Sequence, residues 1–351
     1  MIDQRDLDHI LARTAVHFEA LRGGRIFITG GTGFVGSWLL ASFAKANREL
    51  QLRARAVVLT RDPAAAAARL SELGIGSDVE LQPGDGTDFV FPAGRFAFII
   101  HAATQRSFTP TAARPLGIIE ADALTTRRVL DLARAAGTAR MLFTSTGSVY
   151  GRQPPDLPRM SEDFGGAPLP TDVDAAYGHS KRMSEVMCSM YARSYAIGIS
   201  IARLFALVGP LLPLDEGYAV GNFIGDALAG RAIRVAGDGT PVRSYLYAAD
   251  LAIWLWSMLF AGRSGRAYNV GATDGLTIAE LAQLVARESA ARTPIEIGQC
   301  GPQHGPASRY IPDTTRAQNE LGLRASIPID EGVRRTLFWH RERAARSLCQ
   351  R

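Results

Sequence analysis

Cysteine is scarce in this 351-residue chain: Cys188, Cys300 and Cys349 stand far apart, at no spacing that suits a metal site or paired bridges. Such an odd set fits a reducing compartment, and the expected location is cytoplasmic. A signal core is missing, because Asp3, Arg5, Asp6 and Asp8 interrupt the N-terminus. Long hydrophobic runs are missing too. The most apolar stretch, Leu251 to Gly262, falls short of the roughly 20 residues a membrane span needs, so no membrane partner is expected. Low complexity is confined to Ala64–Ala68, which reads as plain helix, and no repeat is detectable. No excess of one charge dominates: 39 basic residues against 34 acidic leave +5, with the arginines scattered. That pattern excludes a nucleic-acid footprint and suits a small anionic ligand. No residue cluster suggests a metal. What is present is an ordinary soluble composition, long enough for a large core and two lobes.

Residues 1–22 carry Leu7, Ile10, Leu11, Phe18 and Leu21 at helical spacing, which predicts an N-terminal helical extension. From residue 23 to 205, short apolar runs alternate with helical patterns. "RIFIT" (25–29), "ARAVVLT" (54–60), "FAFIIHAA" (96–103), "RMLFTST" (140–146) and "GISIARLF" (198–205) read as strands, and a long helix is expected over 116–136. The pattern predicts an α/β fold: a Rossmann-type, doubly wound parallel sheet covered on both faces. Beyond Phe205 glycine and proline become frequent and strands short, so 206–351 is expected to form a smaller mixed α/β lobe, with 242–260 returning to the large sheet. "TIAE" (277–280) opens a helix with a capping box, Asp313 looks like another cap, and 329–345 reads as a terminal helix.

"GGTGFVG" (30–36) lies between a strand and a helix. Gly30, Gly33 and Gly36 allow a sharp turn, close approach to a pyrophosphate and tight helix packing, with Phe34 and Val35 opening the helix whose free N–H groups favour phosphate. Dinucleotide binding is the expectation; a tight turn that binds nothing is the alternative. NAD-binding folds end their second strand with an acid for the ribose. Here the strand ends "LTRDP", with Thr60, Arg61 and Asp62: Arg61 suits the 2′-phosphate of NADP, while Asp62 still suits a ribose hydroxyl.

"AAYGHSKRMSE" (175–185) puts Tyr177 and Lys181 one helical turn apart on one face. An ammonium beside a phenol favours the phenolate, so Tyr177 is a candidate proton acceptor. On these two residues alone the pair reads as an accident of a surface helix. Together with the glycine turn and the hydroxyl-rich "TSTGSVYG" (144–151), however, it resembles the extended short-chain dehydrogenase/reductase family, over residues 23 to 340. The resemblance implies that Thr146 holds the substrate hydroxyl, Tyr177 is the acid–base group, and Lys181 binds the nicotinamide ribose while keeping Tyr177 in its working state. Tyr150 is read as structural, as is His101 at a buried strand end.

"GDGTPVRSYLYAADLA" (237–252) and "SRYIPDTTRAQNELGL" (308–323) look like the nucleotide-sugar epimerase/dehydratase branch. By that likeness Arg243 and Arg309 grip the diphosphate of a nucleotide sugar, and Asn222, Phe223 and Val235 line the nucleotide. Asp85 resembles an aspartate that contacts adenine, Ala102 and Ala103 line the cofactor, and Arg106 and Ser148 meet the sugar. The branch commonly forms homodimers through a four-helix bundle that would include the Tyr177 helix. The chain departs from the pattern at Ala206 and Asp122, where relatives carry asparagine.

Three reactions share the tyrosine. The 4,6-dehydratases add an Asp–Glu pair after the threonine, and the decarboxylases a glutamate at the second place; this chain has Gly147 and Ser148. The resemblance therefore favours C4 epimerisation by transient oxidation to a 4-keto sugar, with cofactor NAD. The alternatives are an NADPH-dependent reductase of a keto nucleotide sugar, which Arg61 favours, and a dehydratase drawing an acid from "SED" (161–163). A binding protein without catalysis is disfavoured by the intact Thr146, Tyr177 and Lys181.

Overall fold

A strand covered on both faces is apolar at nearly every position, and the apolar runs of this chain become such strands. The computed structural model of the protein describes residues 1–104, 115–289, 293–298 and 307–349. In chain order, helix α1 (Gln4–Phe18) leads to β1 (Arg25–Thr29), α2 (Phe34–Glu49), β2 (Arg55–Thr60), α3 (Pro63–Glu72), β3 (Val79–Pro83), β4 (Phe98–His101), α4 (Pro115–Ala135), β5 (Arg140–Thr146), α5 (Ala176–Tyr195) and β6 (Gly198–Leu204). The second part carries β7 (Leu207–Val208), α6 (Ala219–Leu228), β8 (Ile233–Val235), β9 (Val242–Arg243), β10 (Leu246–Tyr247), α7 (Ala248–Ala261) and β11 (Arg266–Val270). It ends with β12 (Leu276–Thr277), α8 (Ile278–Glu288), β13 (Ile295–Ile297), β14 (Arg309–Tyr310), α9 (Thr315–Leu321) and α10 (Ile329–Cys349).

Seven strands form one sheet in the order β11-β6-β5-β4-β1-β2-β3, with every pairing parallel. The fold is thus the expected Rossmann-type α/β sheet. Because β1 neighbours both β2 and β4, the winding reverses there, and the crevice outside the carboxyl ends is where such sheets take ligands. Successive side chains of β1 supply two cores. Ile26 and Ile28 join a cluster with Trp38, Val58 and Leu142, while Phe27 joins Val57, Ile99, Val129 and Phe143 on the other face.

Within 242–260 it is α7 that lies against the large sheet, packed on β5 and β6; the strand that joins the sheet is β11, at its edge. Helix α1 packs on α2 and α7. Its Asp6 is buried, accepts from the Tyr247 hydroxyl at 2.6 Å and pairs with Arg335 of α10, which ties the extension to the C-terminal helix. Burial pushes that carboxyl above its ordinary range in spite of both partners. In the smaller lobe β9 sits between antiparallel β12 and parallel β14. Thr277 and Glu280 cap α8 reciprocally, a device worth about 1 kcal/mol. Among the described residues no helix is long and apolar enough to cross a membrane.

Candidate active site

The chain leaves β1 at Thr29 and turns at Gly30 with φ +69°, a left-handed conformation that favours glycine. A Cβ at Gly30 would lie 2.6 Å from the Ala102 carbonyl and the Ala103 nitrogen, and one at Gly36 would lie 2.2 Å from the Gly30 oxygen. Neither place has room for a side chain. Gly33 is the N-cap of α2, so the free N–H groups of the first turn, and the positive end of its dipole, border the crevice. Here lies a cavity of about 720 Å³ lined by Gly30, Gly33, Phe34, Val35, Gly36, Ala102 and Ala103. It extends past the end of β2 to Arg61, Asp62, Arg69 and Asp85, and on the other side to Asp122 and Thr125. Its volume and the glycine turn that borders it fit a dinucleotide.

At the β2 end, Thr60 stands where an acid would hold a ribose. The Asp62 carboxylate instead caps α3, accepting from the Ala65 N–H at 2.9 Å. Asp85 accepts from the backbone and hydroxyl of Thr87 at 3.0 and 2.7 Å, hydrogen bonds that hold its carboxyl below the ordinary range. Arg61 is exposed at the rim, and Arg69 reaches Ser37 at 3.4 Å.

Strand β5 delivers Thr146 to the other end of the crevice, at the start of a short turn, Gly147–Tyr150. Thr146 Oγ1 accepts from the Ser148 N–H and donates to the Ser148 hydroxyl, each at 3.2 Å. Helix α5 carries Tyr177, Lys181 and Glu185 at i, i+4 and i+8 on one face. Lys181 is only 2% exposed. Its ammonium donates to the Thr144 carbonyl at 3.4 Å and lies 5.0 Å from the Phe143 ring centre and 5.9 Å from that of Tyr177. No carboxylate among the described residues pairs with it. A buried ammonium with three donors and one acceptor has donors left for a ligand, as ribose hydroxyls would require.

Behind this face His101 is buried between Thr29 (2.8 Å) and Thr126 (3.2 Å), and burial, aided by the Lys181 charge, pushes it down to about 3. Glu185 accepts from Ser145 at 2.5 Å and pairs with Arg203 at 2.7 Å; Arg203 also donates to Tyr150 at 2.8 Å. Tyr150 donates to Asn269 at 2.7 Å, and burial raises it to about 12. Glu162 accepts from the Asn269 N–H at 2.8 Å and lies 3.8 Å from Arg316, while the exposed Asp163 pairs with Arg316. Glu185 and Glu162 are thus engaged in this network, while Asp122, which borders the cavity, accepts from Ser180 at 2.9 Å.

Sequence reasoning missed Tyr310. Strand β14 runs parallel to β9 with Tyr310 opposite Arg243 and Arg309 opposite Val242. Alternation then puts Arg243 and Tyr310 on one face and Arg309 on the other, so the two expected diphosphate arginines do not converge. The Tyr310 ring lies 4.5 Å from Phe205, and its hydroxyl is 2.5 Å from where a Cβ at Gly147 would stand. The signal was available in the quoted segment, but only the strand register tells Arg309 from its neighbour. Arg243 donates to the Val242 and Ser308 carbonyls at 2.8 and 3.1 Å, and no carboxylate among the described residues meets it. Desolvation lowers its pKa, as for a half-buried cation without a counter-ion. That is the electrostatics of an anion site.

Asn222 is exposed on α6, whereas Phe223 and Val235 are both 3% exposed members of the core, so their side chains are committed to packing. Cys188 is buried, and burial pushes its thiol up. Arg106 and Cys300 lie outside the described residues.

Residues 26–271 match the model of the NAD dependent epimerase/dehydratase family. The chain is 31% identical over 323 residues to UDP-glucuronic acid decarboxylase 1 of Danio rerio, covering 91% of this chain and 73% of that one. Among solved structures it is similar to a dTDP-glucose 4,6-dehydratase of Streptomyces venezuelae with NAD bound, at 25% identity and TM-score 0.76, covering 92% of this chain and 98% of the other. It is also similar to a UDP-glucuronic acid 4-epimerase of Bacillus cereus in complex with UDP-glucuronic acid and NAD, at 20% identity and TM-score 0.76, over 91% and 99% of the two chains.

Proposed function

The chain belongs to the NAD dependent epimerase/dehydratase family, and from that premise we propose that it is an NAD-dependent nucleotide-sugar 4-epimerase. The observation that carries this reading is that the acids around Thr146 and Tyr177 among the described residues are all held by other groups, Asp122 by Ser180. Thr146, Ser148, Tyr177 and Tyr310 bring hydroxyls, while Glu185 and Glu162 are engaged by Ser145, Arg203, Asn269 and Arg316. Dehydration needs a carboxyl to take the C5 proton or to protonate a leaving hydroxyl, and a serine hydroxyl is a poor substitute at neutral pH.

In this reading the glycine turn and the start of α2 hold the pyrophosphate of NAD, and Lys181 holds its ribose. When bound, NAD supplies the two-electron acceptor for C4 and returns the pair. Tyr177 takes the proton of the 4-hydroxyl, Thr146 orients that hydroxyl, and Tyr177 returns the proton after the 4-keto sugar has turned over. Arg243 binds the diphosphate from the smaller lobe. The sugar nucleotides named for the relatives support a UDP-sugar as substrate class.

The curated relatives favour a second reading. With a hexuronate substrate the same oxidation makes a β-keto acid, which loses carbon dioxide. Incubation of the NAD-loaded protein with UDP-glucose and UDP-glucuronate separates the two: an isomeric product supports the epimerase, a pentose product the decarboxylase.

The protein is also proposed to act as a homodimer. Leu124 on α4 and Met183, Val186 and Met190 on α5 are exposed, the last three at i, i+3 and i+7 on one face. Helices α4 and α5 pack side by side, so a second copy would complete a four-helix bundle around this apolar patch. Light scattering tests it: Val186→Glu should give a monomer where the parent chain gives a dimer.

A further inference from the structure

A second cavity lies outside the crevice. It holds about 440 Å³ and is lined by Leu214, Leu228, His340, Arg341, Arg343 and Ala344. Small-molecule sites run from about 300 to about 1,000 Å³, so the space suffices for a ligand. Helix α6 brings Leu228, α10 brings the residues from His340 to Ala344, and the segment between β7 and α6 brings Leu214. The two leucines are partly buried against the large core and complete an apolar wall.

Two polar groups here lack partners among the described residues. Every other arginine of α10 pairs with a carboxylate: Arg334 with Glu288, Arg335 with Glu331, Arg343 with Glu72 and Arg346 with Glu342. Arg341, half-buried, meets no carboxylate and no other acceptor among the described residues. His340 Nε2 is shut off from solvent and has no hydrogen-bond partner there either. Burial pushes that imidazole down to about 4, so at neutral pH it adds no positive charge. One unpaired guanidinium beside leucines asks for one negative charge on an apolar body. A planar carboxylate meets the guanidinium fork with two oxygens.

The cavity backs onto the crevice. Leu212, Pro213 and Glu216 line the dinucleotide cavity, while Leu214, in the same segment, lines this one. The segment is constrained. Leu211 has φ +74°, a left-handed conformation unfavourable to leucine, and a Cβ at Gly221 would lie 2.5 Å from the Pro213 oxygen. A strained stretch keeps its shape only through its surroundings, and a ligand against Leu214 adds to them.

We propose that this cavity is a second ligand site, for a small carboxylate with an apolar body, and that its occupant braces the wall of the dinucleotide cavity. Arg341 takes the carboxylate, Leu214 and Leu228 take the body, and occupancy tightens dinucleotide binding. The bracing rests on the reading of the crevice as a dinucleotide site; the second site itself does not.

Benzoate is the probe, titrated by saturation-transfer NMR. Acetate supplies the anion without the body, and benzyl alcohol the body without the anion. Benzoate should bind at least 10-fold more tightly than either. Arg341→Met keeps the stem and removes the fork; it should weaken benzoate at least 10-fold at an unchanged melting temperature, whereas Arg243→Ala should leave benzoate binding at the parent value. Benzyl alcohol binding as well as benzoate overturns the proposal. So does a loss in Arg243→Ala equal to that in Arg341→Met, which would put the anion in the crevice. Bracing is read from NADH fluorescence. Saturating benzoate should tighten NADH about 5-fold in the parent and not in Arg341→Met, and saturating NADH should tighten benzoate by the same factor. A protein that binds NADH with an affinity indifferent to benzoate overturns the bracing and leaves the dinucleotide reading standing.

Discussion

The Lys181 ammonium lies 5.9 Å from the centre of the Tyr177 ring, buried, with the Thr144 carbonyl at 3.4 Å as its one hydrogen-bond acceptor among the described residues. Tyr177→Phe should therefore keep fold and NAD affinity but lower kcat by roughly 10²–10⁴-fold, the scale of a missing acid–base group. Near-parent turnover would remove Tyr177 from the chemistry. Lys181→Met should lose both turnover and NAD affinity, since it takes away the donors proposed for the ribose.

Arg243 and Arg309 differ in face, and so in expected effect. Arg243→Ala should weaken UDP binding by about 1.5–3 kcal/mol, the worth of a hydrogen bond to a charged group, with NAD affinity hardly changed. Arg309→Ala should cost markedly less UDP affinity, because its register partner is Val242. The reverse order in a titration would mean that the diphosphate lies on the other face of β9 and β14.

Gly36→Ala tests the dinucleotide turn. A Cβ there meets backbone, the Gly30 oxygen at 2.2 Å, which cannot yield as a flexible side chain would. Affinity for the reduced cofactor, NADH, should fall at least 10-fold, of the order of one lost hydrogen bond or more, when followed by its fluorescence. Parent-level NAD affinity would show that the turn has slack.

A buried histidine, His101, and a half-buried one, His340, predict acid lability. In the folded protein His101 is pushed down to about 3 and His340 to about 4, chiefly by burial, whereas histidine in an unfolded chain titrates near 6.5. Below about pH 6.5 the unfolded state binds protons that the folded state refuses, so stability falls as pH falls, by at most about 1.4 kcal/mol per histidine per pH unit. The melting temperature should drop between about pH 7 and about pH 5, and less steeply in His101→Asn. A flat profile for the parent chain would contradict the assignment.

Most of the large sheet was legible because burial on both faces writes itself as apolar runs, as in Ile26–Ile28 and Val57–Leu59. Strand β3 was not, since at the edge none of its residues is fully buried and "VELQP" makes no run. Strand β11 was missed for a related reason: its outer residues, Arg266 and Ala267, are half-buried, and the more apolar α7 just before it drew the eye. In the candidate site, contiguous motifs read well, because Gly30–Gly36 and Tyr177–Lys181 carry their geometry within one turn or helix. Tyr310 did not, since its meaning depends on the register between β14 and β9 and on the space above Gly147, both set by tertiary packing. The same limit applied to Phe223 and Val235, whose spacing could not tell a ligand contact from a core position.

The central claim is that this site oxidises and re-reduces C4 with no acid among the described residues placed for elimination, and isotope uptake in deuterated water tests it most directly. The NAD-loaded protein is incubated with UDP-glucose and UDP-glucuronate, and the products are weighed by mass spectrometry. The account predicts a C4 epimer of unchanged mass with no deuterium at C5. A 4-keto-6-deoxy product that carries solvent deuterium, or a pentose formed with release of carbon dioxide, would contradict it.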